Sequence, residues 1–361
     1  MDDARMREVL AGPSLDGPAV GLDIGGTKTL AVLLDGAGEV VAQARLATER
    51  GPRGVVAGAA RAVRGVTRQA GLSPADLVGV GVGMPGLVDP AAGTVRHAVN
   101  VGVDGAPLSL ARLLSDELGG LPVGVENDLN VAALGAAHLI VTDAGGAPGG
   151  PPVDPTGAGV DLAFLALGTG LAAGLVLDGR LRRGVGGAAG EIGHVPVDPA
   201  GPVCPCGQRG CLELYASGTA VAALWPARTG RPAPVELFEA AAAGVPGAVE
   251  ARERYASAVA AAVRMLVLAV DVPLVVLGGG VAQLGEPLLE AVRDALAQES
   301  ATSGFLSSLH LPERVRLAPG RVPVGAVGAA VVGRRVAGTR APATPLAESA
   351  LDAARADHQP A

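Results

Sequence analysis

Residues 19–41 read AVGLDIGGTKTLAVLLDGAGEVV, which is an apolar strand, a glycine-rich turn, a second apolar strand and an Asp-Gly turn. Residues 161–181, DLAFLALGTGLAAGLVLDGRL, repeat this order. Short apolar runs bounded by glycines and Asp-Gly pairs are typical of strands joined in hairpins. The repeated order indicates that one structural unit is used twice in the chain.

Each unit places its glycine turn between two strands, where phosphate can bind. Glycines without a Cβ let backbone N–H groups converge on phosphate oxygens, and Thr hydroxyls and a Lys ammonium add donors. Neither turn has the G-x-x-x-x-G-K spacing of a Walker loop. One such turn alone is a weak signal because Gly-Gly hairpins are common, but two at corresponding places predict a nucleotide held between twin lobes. The candidate nucleotide residues in the turns are Asp23, Gly25, Gly26, Thr27, Lys28, Gly168, Thr169 and Gly170.

The three cysteines of the chain lie close together in CPCGQRGCLE, after a histidine in GEIGH. Three thiolates and an imidazole form a tetrahedral set that suits a structural zinc ion. A buried thiol cluster is the alternative, and a disulfide is disfavoured because one cysteine would be left over. Gly207 and Gly210 would let this loop fold tightly around one ion. The predicted zinc ligands are His194, Cys204, Cys206 and Cys211.

Two glutamates accompany the cysteine motif. Glu191 lies three residues before His194, and Glu213 lies two residues after Cys211. A metal that fixes this loop also fixes both carboxylates, as a site that binds several hydroxyls requires. Either glutamate taken alone would be read as a solvated surface residue.

A further acidic residue closes a predicted strand at Pro122–Asp128. Asp128 can accept a proton from a substrate hydroxyl while Asn127 orients a neighbouring hydroxyl. The alternative role for Asp128 is a helix N-cap. Asp23, also at a strand end, is a candidate to hold Mg²⁺ through water.

Two glycine clusters need separate interpretation. Gly278, Gly279 and Gly280 end a strand and could admit an adenine ring against the backbone, with a tight strand–helix turn as the alternative. GVGMPG at Gly81–Gly86 satisfies G-x-G-x-x-G, but no helix is predicted after it. A dinucleotide site is therefore rejected there.

Composition narrows the possible partners. The 361 residues are 49% hydrophobic, only 2% aromatic, and carry a net charge of -7. Few aromatic rings and a negative charge disfavour nucleic acid. The longest apolar run, near Val263–Leu277, is broken by charges and proline, so we expect no membrane span. The acidic N-terminus does not resemble a secretory signal, and a cytoplasmic location is expected.

Together, these motifs resemble the ROK family of bacterial sugar kinases and sugar-responsive repressors. The resemblance covers about Val20 to Val332. It includes LDIGGTK, GVGMPGLVDP, VENDLNVAALG, LGTG, GAAGEIGH, CPCGQRGCLE and VVLGGGV in the order that the family has.

The resemblance implies an actin/hexokinase-like (ribonuclease H-like) ATPase fold of two lobes, each with a mixed sheet flanked by helices. It implies an ATP-dependent sugar kinase with Mg²⁺ and structural zinc, in which Asp128 is the catalytic base. Glucose is the expected acceptor, with N-acetylmannosamine, fructose or a cyclitol as alternatives and ATP or polyphosphate as donor. A non-catalytic sugar sensor is a further alternative, and a homodimer or homotetramer is expected. The implied sugar-binding residues are Asn100, Asn127, Asp128, Glu191, His194 and Glu213.

Three features depart from the family pattern. Ala172 and Ala173 replace glycines after the second turn, which would narrow the nucleotide groove. The Gly/Pro-rich stretch at 143–160 is longer than usual. Only 22 residues precede Asp23, too few for the DNA-binding domain of repressor members.

The predicted organisation has six parts, including two lobes. The segments are a flexible tail (1–17), an N-terminal lobe (18–137), a Gly/Pro-rich loop (138–160), a C-terminal lobe (161–324), a terminal helix (325–335) and a disordered tail (336–361).

Overall fold

The structure, a computed structural model, describes residues 17–144 and 160–339. The predicted tail at 1–17, the predicted loop at 138–160 and the predicted tail at 336–361 lie largely outside the described residues. Two five-stranded sheets with flanking helices form two lobes. The predicted α/β class is therefore confirmed.

The first lobe is built on one mixed sheet. Its strands are β1 Ala19–Ile24, β2 Lys28–Leu34, β3 Val40–Ala47, β4 Gly79–Met84 and, after a two-stranded ribbon of β5 Leu87–Asp89 and β6 Thr94–Arg96, β7 Val123–Asn127. The sheet order is β3-β2-β1-β4-β7. The β1–β2 and β2–β3 pairs are antiparallel, whereas β1–β4 and β4–β7 are parallel. All of β4 and nearly all of β1 is buried, as expected for apolar strands covered on both faces.

The second lobe repeats this topology. Its strands are β8 Leu162–Leu167, β9 Leu171–Leu177, β10 Arg180–Leu181, β11 Val275–Gly278 and β12 Val315–Leu317. They lie in the order β10-β9-β8-β11-β12, with two antiparallel pairs followed by two parallel pairs. The predicted double use of one structural unit is confirmed. One difference stands out: β3 has eight residues and β10 has two.

Ten α-helices lie in the described residues. Their bounds are α1 Pro52–Gln69, α2 Leu110–Glu117, α3 Asp128–Ala144, α4 Glu213–Ala216, α5 Gly218–Leu224, α6 Ala233–Ala242, α7 Pro246–Val270, α8 Glu286–Ala301, α9 Gly304–Ser308 and α10 Val324–Thr339. The predicted start of the loop at residue 138 was wrong, because α3 continues to Ala144. Within this part of the helix, Leu139 packs against Val32 and Leu34 of β2. The predicted tail at 336–361 likewise begins inside α10.

Helix α10 packs on the first lobe, against β1, β4 and α3. A Cβ at Gly21 or Gly81 would overlap the backbone of α10 at Ala326 or Ala329. These two glycines therefore let the helix lie directly on the sheet. The chain thus returns to the first lobe after completing the second, which the sequence prediction of a separate terminal helix did not include.

Helix α3 connects the two lobes at the base of the cleft. Ala133, Leu134 and Ala137 of α3 share a buried cluster with Leu162 and Phe164 of the second sheet. The strand before α3 belongs to the first sheet, so residues at the β7–α3 junction lie where the lobes meet. Within the two described stretches, we find no helix with the length and hydropathy that a bilayer span requires.

Candidate functional site

A cleft of about 1180 Å³ is lined by residues of both lobes. Strand ends and turns supply the lining, because parallel strands direct their carboxyl ends to one edge of each sheet. The predicted site residues that line it are Asp23, Lys28, Asn127, Asp128, Gly168, Gly170, Glu191, Glu213, Gly278, Gly279 and Gly280.

The first glycine turn is closed by its own backbone and held by Thr48. The Gly25 N–H donates to the Lys28 carbonyl at 3.0 Å. The Thr48 hydroxyl donates to the Gly25 carbonyl at 2.7 Å, and the Thr48 N–H donates to the Thr27 carbonyl at 3.1 Å. Thr48 directly follows β3, so this support comes from the same sheet as the turn.

The second glycine turn is also closed by its own backbone, but a side chain from after the cysteine motif holds it. The Gly168 N–H donates to the Gly170 carbonyl at 3.1 Å. The next N–H, that of Leu171, donates to Oε2 of Glu213 at 2.9 Å. One oxygen of the predicted sugar ligand Glu213 is thus engaged with the second glycine turn, a contact that the sequence did not predict.

Asp128 begins α3 at the seam between the lobes and lines the cleft. Its Oδ1 accepts from the Leu129 N–H at 2.9 Å, and the side chain of Asn127 accepts from the same N–H at 3.0 Å. Asp128 therefore both accepts a hydrogen bond at the start of α3 and lines the cleft. Burial raises the pKa of Asp128, although the Leu129 N–H opposes the rise.

Asp23 lies near Asp128 at the end of β1. Burial, and then the charge of Asp128, raise the pKa of Asp23 to about 6, while Lys28 opposes this rise. Two poorly solvated carboxylates thus lie together in the cleft, with the exposed Lys28 near them. A group of this kind accepts cations and protons readily.

An ion pair between the buried Glu126 and the exposed Arg183 was missed from the sequence. Glu126, only 2% exposed, accepts from Nε of Arg183 at 2.8 Å and also from its Nη2. Its other oxygen accepts from the Asn127 N–H at 3.0 Å and from the Asn130 side chain at 2.8 Å. Arg183 belongs to the second lobe and precedes Glu191, so the pair ties the two polar segments together. The available signal was a charge inside the apolar strand PVGVE.

The cysteine loop has the geometry of a metal site. The ligand atoms of His194, Cys204, Cys206 and Cys211 all lie within 4.8 Å of one another. The Sγ atoms of Cys206 and Cys211 are 3.6 Å apart, and Cys204 Sγ lies 3.9 Å from His194 Nδ1. Zn–S bonds of about 2.3 Å at a tetrahedral centre require S···S distances of about 3.8 Å, whereas a disulfide requires about 2.05 Å. The donor set therefore fits zinc.

The loop folds around this set through left-handed glycines. Gly207 has φ 93° and Gly210 has φ 64°, conformations that glycine adopts without a Cβ penalty. The Cys204 N–H donates to the Gln208 carbonyl at 2.7 Å, which closes the turn between the first two cysteines and the third. The expected tight fold at both glycines is confirmed.

Several predicted residues lie beside the cleft without lining it. Asn100 is exposed, and its backbone packs against Gly26. His194 faces the cysteines. The sequence prediction also missed cleft-lining side chains of Gln43, Arg45 and Arg321, because neither β3 nor the segment before α10 carries a recognisable motif. The residues that were predicted for the cleft but lie outside its lining are Gly25, Gly26, Thr27, Asn100, Thr169 and His194.

The description of the matched family is "ROK family", and its model covers residues 19–335. The chain belongs to the ROK family. Its two lobes accordingly have the actin/hexokinase-like fold.

Known ROK proteins that resemble the chain are mostly named as kinases. A glucokinase of Halalkalibacterium halodurans is 33% identical over 295 residues, 76% of this chain and 83% of the relative. An N-acetylmannosamine kinase of Vibrio cholerae is 32% identical over 292 residues, 81% of this chain and 91% of the relative. A ROK family glucokinase from Streptomyces griseus, solved with glucose and AMPPNP, is 31% identical with a TM-score of 0.64 and covers 88% of this chain and 100% of its own.

Proposed function

We propose that this ROK protein is a sugar kinase that transfers the γ-phosphoryl group of ATP to a hexose hydroxyl. Glucose is the first candidate acceptor and glucose 6-phosphate the product. The observation that carries the proposal is the position of Asp128, which lines one cleft together with Glu191 and Glu213. The same cleft is lined by Asp23 and Lys28, on either side of the first glycine turn, and by Gly168 and Gly170 of the second. A carboxylate there is within reach of a hydroxyl that points at a bound nucleotide.

Phosphoryl transfer requires mainly that the enzyme position the two reactants and stabilise negative charge on the phosphate. Phosphoryl transfer proceeds through a loose transition state whose charge spreads over phosphate oxygens, so donors along the cleft stabilise it. Lys28 and the N–H group of Gly170, which both line the cleft, would supply such donors. Asp128 takes the proton of the attacking hydroxyl, and burial, which raises its pKa, makes it a stronger base than a solvated aspartate.

Acceptor binding is assigned to polar groups on the same side of the cleft. Glu191, Asn127 and the second oxygen of Glu213 would accept or donate hydrogen bonds to sugar hydroxyls, with Asn100 and His194 beside them. The predicted zinc ion would hold the loop that carries both glutamates, which reduces the entropy lost on binding. The Arg183–Glu126 pair would hold Glu191 and Asp128 at a fixed distance from each other, because it joins the segments that carry them.

Mg²⁺ is implied by the use of ATP, and the donor set near the first turn fits it. Asp23 offers hard carboxylate oxygens in the cleft, as this ion prefers. When bound, the ion would neutralise phosphate charge. Closure of the lobes would exclude water, which competes with the sugar as acceptor.

The choice of acceptor rests on the names of relatives and is open between two sugars. Relatives named glucokinase and N-acetylmannosamine kinase match at 33% and 32% identity. The deciding experiment is a coupled ADP-release assay over glucose, mannose, N-acetylmannosamine, fructose and cyclitols, repeated with polyphosphate as donor. Glucose with ATP should give the highest kcat/KM. A protein that binds these sugars but releases no ADP would instead be a sensor.

A further inference from the structure

We propose that residues 213–219, which directly follow the last cysteine, position the second glycine turn. We refer to these residues as the brace segment. The metal-bound loop then supports the nucleotide half of the cleft as well as the sugar half. This inference rests on the proposed function, because it assigns the turn at Gly168–Gly170 to nucleotide phosphates.

The brace segment contacts the turn at three successive points. The Gly218 N–H donates to the Gly168 carbonyl at 2.7 Å. The Thr219 hydroxyl donates to the Thr169 carbonyl at 2.8 Å. Oε2 of Glu213 accepts from the Leu171 N–H at 2.9 Å. Two carbonyls of the turn are thereby directed to the brace segment, which leaves the N–H groups of Thr169 and Gly170 to face a ligand.

The two pieces also fit each other sterically. A Cβ at Gly218 would lie 2.8 Å from the Gly168 carbonyl oxygen and 3.3 Å from Cγ2 of Val281. A Cβ at Gly170 would overlap Oε2 of Glu213. A methyl group at Gly218 would therefore press on the backbone of the turn and displace it, whereas one at Gly170 would push away the Glu213 side chain.

The brace segment is anchored to the cysteine loop. Leu212, which joins Cys211 to the brace segment, is buried, and its N–H donates to the Val195 carbonyl at 3.0 Å. Ser217 is also buried and caps α5 by accepting from the Ala220 N–H at 3.1 Å. A rigid connection of a few residues thus runs from the zinc ligand Cys211 to the turn. The same connection places Glu213 both against the turn and in the lining of the cleft.

The test compares direct nucleotide binding in Thr219→Val and wild type. Valine keeps the shape of threonine but removes the hydroxyl, so AMPPNP affinity, measured by calorimetry, should fall by roughly threefold to tenfold. Glucose affinity and zinc content should stay at the wild-type level. Thr219→Ser, which restores the hydroxyl, should recover the affinity.

A matched control is Thr302→Val. The Thr302 hydroxyl also donates to a backbone carbonyl, that of Glu299 at 2.9 Å, but lies outside the cleft lining. This variant should bind AMPPNP like wild type. Gly218→Ala tests the steric contact independently and should also weaken AMPPNP binding.

The inference would be overturned if Thr219→Val and Gly218→Ala both bound AMPPNP as tightly as wild type. It would also be overturned if removal of zinc by a chelator left wild-type AMPPNP affinity unchanged. A wild-type protein that binds no nucleotide would contradict the proposed function itself. The two failures are therefore distinguishable.

Discussion

The two glycine turns occupy equivalent places in the twin sheets but are held by unrelated parts of the chain. The first is held by Thr48, which directly follows β3. The second is held by the brace segment, which follows the cysteine loop. Equivalent topology has thus not produced equivalent support.

The lengths of the third strands explain this difference. Strand β3 pairs with β2 as far as Lys28 and Ala47, so Thr48 emerges beside the first turn. Strand β10 pairs with β9 only at Arg180–Leu177 and Leu181–Val176, at the far end of the hairpin. Within the described residues, β10 therefore supplies no counterpart of Thr48. The brace segment contacts the second turn instead, so the turn depends on a loop that has the geometry of a metal site and lies next to Glu191 and Glu213, the proposed sugar ligands.

The largest expected effect comes from replacing Asp128, the proposed base at the seam between the two lobes. Asp128→Asn keeps the contact with the Leu129 N–H but removes the base, so kcat should fall by roughly 10²- to 10⁴-fold. Steady-state kinetics with saturating ATP and glucose measures this change. AMPPNP affinity should change little, since neither turn is altered, and glucose should still bind through Glu191 and Glu213. A variant that keeps a tenth of the wild-type kcat would remove Asp128 from this role.

Loss of the metal should affect the two turns unequally. Cys206→Ser removes one thiolate, so zinc content should fall and glucose KM should rise by roughly tenfold to 100-fold. The ATP KM should rise as well, because the second turn loses its anchored support while the first keeps Thr48. Metal analysis and kinetics test this together. A wild-type protein without zinc would contradict the whole account of the loop.

A smaller effect is expected at the first turn. Thr48→Val removes the hydrogen bond to the Gly25 carbonyl, so the ATP KM should rise by roughly threefold to tenfold. This rise should be the same before and after zinc removal, in contrast to the effect of Thr219→Val. Thr48→Ser is the control and should behave like wild type. A zinc-dependent response of Thr48→Val would mean that the two turns are not supported separately.

The smallest effect at neutral pH comes from protonation of carboxylates, which lie beside the first turn but not within the second. Asp128 and Asp23 adjoin the first turn and the seam, and both have raised pKa values, whereas the second turn contains no titratable side chain. The base must be ionised, so kcat/KM for glucose should fall as pH decreases through the raised pKa. The midpoint should lie above about 4, the ordinary value for aspartate. A profile that is flat down to pH 4 would contradict this assignment.

The sequence was sufficient for features encoded by local patterns. Neighbouring residues encode the strand–turn–strand units, the cysteine motif and the position of Asp128 at a strand end. The structure confirms the repeated units and the close approach of the histidine and cysteine side chains. The roles of the cleft residues stay predictions.

Features formed by distant residues could not be read from the sequence. The contact of Glu213 with Leu171 and the pairing of Glu126 with Arg183 join segments separated by 42 and 57 positions. The packing of α10 on the first lobe depends on glycines of β1 and β4 that look like ordinary strand glycines. Such contacts arise from tertiary packing, which no single segment encodes.

In the proposed reaction, a hydroxyl held between the two turns and Asp128 receives the phosphoryl group of ATP. Phosphorus NMR of wild-type protein with ATP, Mg²⁺ and glucose detects this transfer. A new phosphomonoester resonance, split by the two protons of the glucose CH₂ group, should grow as ADP appears. ATP that stays intact, or is converted to ADP and inorganic phosphate with no sugar phosphate, would contradict it.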